Sequence, residues 1–130
     1  MIVYRIETLD GYGPYSHEKI NFPPELQDIE SNPLPMNDGI SLYTSRKYFA
    51  GDWYFGFHTV DLLFRWFGPY WDFLVSKNLK CSIYNIHHAR VKKGNTQCAF
   101  VKDLAVLVDS ISAKKIKENI QANKDIFSKD

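Results

Sequence analysis

With 130 residues the chain has room for one complete hydrophobic core and is too short for two ordinary domains. A hydrophobic fraction of 45% and a charged fraction of 24% exclude a disordered chain, and the 15% aromatic content supplies much of the buriable area. A net charge of +1 provides no global field to draw in nucleic acid or an anionic membrane, so neither is an expected partner.

The amino terminus, MIVYRIETLDGYG, reaches Arg5 too soon for a signal-peptide core, and no apolar run approaches the roughly 20 residues that span a bilayer. An intracellular, cytoplasmic protein is expected. Its two cysteines, Cys81 and Cys98, suit a reducing compartment.

IVYRIET alternates, with Ile2, Tyr4 and Ile6 on one face and Val3, Arg5 and Glu7 on the other, which predicts a strand. Residues 10–39 form a long connection in which Gly11, Gly13, Pro14, Pro23, Pro24, Pro33 and Pro35 forbid a long helix. At most a short helical turn fits at 25–29, and a connection this long is either a functional lid or a segment lying across the core, the reading favoured by Tyr12, Tyr15, Phe22 and Leu26, which are spaced as anchors. Short strands are expected within 40–51 and 52–57.

The stretch from Trp53 to Leu74 holds half of the aromatic residues and all three tryptophans. Thr59 is a plausible N-cap, and Val60, Leu63, Phe64 and Phe67 follow at the spacing of one helix face. Gly68-Pro69 interrupts this helix and opens a second, in which Tyr70, Phe73 and Leu74 repeat the pattern. Trp66, Trp71 and Tyr54 lie off the main stripes and stand as candidates for a surface platform, against the simpler reading of a broad buried face.

LKCSIYNIHHA predicts a strand, RVKKGN a turn, and TQCAFV and LAVLVDSIS two more strands, the last a nearly continuous apolar run suited to a sheet interior. A hairpin between the first two would place Cys98 near His87 and away from Cys81, against a disulfide. Residues 113–130 predict a terminal helix with Ile116, Ile120 and Phe127 as its stripe. The outline is a single α+β domain, with a mainly antiparallel, possibly split sheet, two consecutive aromatic-rich helices and a C-terminal helix.

The common nucleotide, hydrolase and metalloprotease motifs are absent. His87, His88, Cys81 and Cys98 are ligand types without a zinc spacing, so no metal site is expected. Cys98 beside His87 could be drawn as nucleophile and base, but a small buried cysteine is the plainer account.

The order VYRIE, LYTS, FGF, RWF and VKKGNTQCAF resembles a set of small uncharacterised bacteriophage proteins, and more distantly the compact split-sheet layout of ADP-ribosyltransferase-like domains. That second likeness implies NAD as a ligand, Arg5 on the first strand as its phosphate-holding residue, and Tyr43, Thr44 and Ser45 near the middle motif. The plainer reading of Arg5 is a partly exposed strand residue paired with Glu7 or a neighbouring strand. The likeness also implies Gln97 where active transferases carry a glutamate. A neutral amide supplies only a dipole to the charge that develops as nicotinamide leaves, so transfer activity is doubtful. The phage likeness implies an accessory protein that works without a cofactor by binding a host protein, inhibiting it or redirecting it. Tyr12, Tyr15, Tyr54 and Trp71 are the expected contacts, since aromatics dominate interface energies.

Overall fold

The computed structural model describes residues 1–13, 39–40 and 53–129. The anchors Tyr15, Phe22 and Leu26, the helical turn at 25–29, the strand within 40–51, and Tyr43, Thr44 and Ser45 lie outside the described residues.

The predicted first strand forms as β1 (Ile2–Glu7), followed by β2 (Trp53–Gly56), α1 (Val60–Phe67) and α2 (Trp71–Ser76). Then come β3 (Lys80–Asn85), β4 (Val91–Lys93), β5 (Cys98–Val101), β6 (Val106–Ser112) and α3 (Ala113–Gln121). Among the described residues the strands make two antiparallel sheets of three, ordered β1-β3-β6 and β2-β5-β4. The sheets meet where Tyr4 and Phe57 exchange backbone hydrogen bonds of 2.8 and 2.7 Å. The expected split α+β arrangement is therefore present.

Thr59 caps α1 as its sequence position predicts, its hydroxyl accepting from the Leu62 amide at 3.1 Å. The buried stripe is rotated from the expected one: Leu63, Trp66 and Phe67 are buried, while Val60 and Phe64 are only partly so. Pro69 lies in a single 3-10 turn that redirects the chain into α2, which buries Trp71 and Leu74. Large rings tolerate an off-centre position because they reach over their neighbours; Trp66 packs edge-on to Phe57 at 5.6 Å. With Ile6, Cys81, Ile111 and Ile116 these residues form the main core, between sheet β1-β3-β6 and the helices.

Four expectations fail. Within RVKKGN, expected as a turn, Val91–Lys93 forms the strand β4, because its backbone pairs with β5, and the reversal is left to Gly94, whose amide donates to the Gln97 carbonyl at 2.7 Å. The hairpin between β3 and the strand after the turn does not form: β3 sits between β1 and β6, and β5 pairs with β2 and β4. Lys93, and not His87, lies opposite Cys98. The apolar strand is not interior, since β6 is the outermost strand of its sheet among the described residues; β3, with buried residues on both faces, holds the central place. The terminal helix stops at Gln121, because the buried Asn119 draws the tail back, its amide donating to the carbonyls of Ile126 (3.3 Å) and Ser128 (2.6 Å). Asn123 makes the reversal with φ of 57°, a conformation asparagine tolerates, and Phe127 stacks on Tyr4 from a non-helical segment.

Candidate functional site

Strand alternation puts Arg5 and Glu7 on one face of β1, and both are buried, at 6% and 1% exposure. Arg5 lies opposite Ser82 and Glu7 opposite Lys80 in β3. Arg5 Nε donates to Glu7 Oε2 at 3.1 Å and its Nη1 to the Phe55 carbonyl at 2.8 Å. Lys102, in the 3-10 turn after β5, reaches the same carboxylate oxygen at 2.8 Å and donates to the Gly11 carbonyl at 2.9 Å. Tyr84 of β3 donates its hydroxyl to Glu7 Oε1 at 2.8 Å. Tyr54 of β2 roofs the group, its ring centroid 5.0 Å from the Arg5 guanidinium carbon and 5.2 Å from Lys102 Nζ.

One carboxylate thus holds two cations, tying β1, β3, the loop after β1 and the turn after β5 together at the junction of the sheets. Burial alone would raise the Glu7 carboxyl, but the hydrogen bonds from Lys102 and Tyr84, with the Lys102 charge, outweigh it and hold the group below its usual 4.5. The Tyr84 hydroxyl is shifted up, by burial first and by its bond to Glu7 second, so it stays a donor. Arg5 is the only member of this cluster among the residues expected to bind a ligand, apart from its roof, Tyr54. The Arg5–Glu7 pair was legible from their spacing on one strand, although Arg5 is buried and not partly exposed; Tyr84 and Lys102 carry no local signal, since Lys102 arrives from 95 positions away.

Gln97 is buried directly before β5, in which Cys98 lies opposite Gly56. Trp71 is not a surface residue: it is 7% exposed and its indole donates to the Ala113 carbonyl at 2.9 Å, so it belongs to the core. Tyr54 is partly buried, its ring against the two cations. Tyr12, 53% exposed, does stand at the surface, on the loop that Lys102 clips through Gly11. Burial pushes the Cys98 thiol up to about 12, which leaves almost no thiolate at neutral pH. His87 is exposed and stacked on His88 at 4.4 Å.

Beyond the Lys102 turn, Val106, Leu107 and Val108 of β6 are 66%, 53% and 59% exposed, and Leu104 precedes them at the surface. A register shift opposite Ile83 and Tyr84 leaves Val108 without a facing residue, so the strand turns apolar side chains outward at consecutive positions.

Fold and site together define a small α+β protein of split-sheet architecture whose charged cluster is knit into its own core and whose outer strand is apolar. The chain belongs to the Bacteriophage T4 Y00F protein family, whose model matches residues 1–114. No curated protein and no solved structure matches it. Among the described residues no helix is long and apolar enough to cross a membrane.

Proposed function

We propose that this phage protein is an accessory factor that acts in the host cytoplasm by binding a host protein. The observation that carries the reading is the exposed run Val106, Leu107 and Val108 on a strand that is outermost among the described residues. Consecutive exposed aliphatics at a sheet edge are costly to leave in water, and natural edges are normally guarded by charge or proline. None occurs between Leu104 and Val108. Tyr12 and Leu104, on either side of the Lys102–Gly11 bond, extend the surface with an aromatic anchor.

Capture from a bacterial lysate tests this. Immobilised wild type is expected to retain one host protein in stoichiometric amount, and Leu107→Asp or Tyr12→Ala to weaken retention by about tenfold or more, the loss typical of an interface anchor. Equal retention by the variants would remove the surface from consideration. A wild type that is dimeric, with a monomeric Leu107→Asp, would assign the edge to a second copy instead.

A second reading, an ADP-ribosyltransferase-like or other nucleotide-binding domain, is favoured by the split sheet, which sets Arg5 of β1 beside the strand pair that follows Gln97. A ligand phosphate would have to compete with Glu7 and the Phe55 carbonyl for the guanidinium. The host-binding reading expects no thermal shift with NAD or ADP-ribose. A ligand at about 100 times its Kd would add about 2.7 kcal/mol and raise Tm by several degrees, which would adopt the second reading.

A further inference from the structure

We propose that β4 and the turn before it form a docking strip for an extended acidic segment of a partner protein. The net charge of +1 conceals an uneven distribution: from Phe73 to Lys102 the chain carries Lys77, Lys80, Arg90, Lys92, Lys93 and Lys102 and not one Asp or Glu. The fold concentrates the middle of this stretch on a sheet edge. Among the described residues β4 is outermost in its sheet, and its one strand neighbour there, β5, is also free of acids. Arg90 and the exposed Lys93 form no ion pair among the described residues, and the exposed pair His87 and His88 adds two titratable rings at the start of the strip. The Lys93 charge is felt nearby: together with burial, the larger cause, it lowers the pKa of His58.

The chemistry favours a polypeptide over a nucleic acid. Single strands bind through aromatic faces on which bases stack, but Trp53, the ring that Lys92 of β4 faces at 5.1 Å, is buried, and the exposed His87 and His88 rings are stacked on each other. Tyr12, the exposed aromatic among the described residues, belongs to the loop after β1. An edge strand offers backbone donors and acceptors to an added strand. Acidic side chains on that strand would meet Arg90 and Lys93. This inference does not rest on the apolar surface at β6, which lies at the other end of the strand order.

The test is a fluorescence-anisotropy titration of a labelled peptide of alternating Glu and Val, beside an oligo-dT strand, with backbone amide NMR on the wild type. The peptide is expected to bind, to weaken as salt rises, and to shift the amides of Val91 to Lys93. Arg90→Glu with Lys93→Glu should cut its affinity about tenfold, the scale of two lost exposed charge pairs made repulsive. Lys114→Glu, on α3, should leave it unchanged. Absent binding, peptide-induced shifts confined to other elements, or oligo-dT binding tighter than the peptide through these amides would each overturn the proposal.

Discussion

Glu7→Gln is expected to cost about 3–5 kcal/mol, the scale for removing one partner of a buried ion pair, and to lower Tm by roughly 10 °C or more. The side chain keeps its shape, but Arg5 and Lys102 lose the charge that compensates them in a site where Arg5 is almost wholly buried. Adding Lys102→Met to Glu7→Gln should recover part of the loss, because one uncompensated ammonium is then gone. If the double variant is no better than the single one, loss of the charge is not the cause.

The same residue sets an acid dependence. Its folded-state pKa is depressed, so its contribution is fully present above the usual value of 4.5 and is lost as pH falls through the lower folded value. Wild type and Glu7→Gln should therefore differ most near neutrality and converge below pH 4.5 in urea titrations. A constant gap across that range would show that the carboxylate charge is not what stabilises the cluster.

Gly56→Ala is the second large effect. A Cβ at this position would stand 2.7 Å from the Tyr4 carbonyl oxygen and 2.8 Å from Val3 Cγ1, and backbone cannot yield as a flexible side-chain end would. The Tyr4 carbonyl is the acceptor of the Phe57 amide, one of the two hydrogen bonds joining the sheets, and Val3 is fully buried. Overpacking of about 1–3 kcal/mol and weakening of two hydrogen bonds at about 0.5–1.5 kcal/mol each give an expected loss of roughly 2–6 kcal/mol. Hydrogen exchange should locate the damage, with protection falling at Tyr4 and Phe57 while the α1 amides keep their relative order. An alanine variant as stable as wild type would mean that the junction can open without cost.

Much of the fold was legible because local physics decides it. Alternation in β1 and β3, the Thr59 cap and the Gly68-Pro69 break act over a few residues; β1 and the start of α1 formed where those signals put them, while α2 begins two residues after Pro69, at Trp71, and β3 ends at Asn85, short of the alternating run. The charged cluster was half legible. Arg5 and Glu7 had to share a face of β1, but nothing local announces that Lys102 and Tyr84 converge on the same carboxylate.

By itself, then, the sequence determined the α+β class, the start of α1 and the break between α1 and α2, the aromatic core and the strand character of β1, β3, β5 and β6. Only the tertiary structure decided which strands are neighbours, because an apolar run has the same pattern whether it is central or at an edge. That choice places β3 inside its sheet and leaves β6 with apolar residues in water. It also places Trp71 in the core and Tyr12 at the surface, a distinction that depends on what packs against each ring and not on the ring itself. Non-local pairing is the physical reason: the partners that settle burial and charge come from distant parts of the chain, and no local preference encodes them.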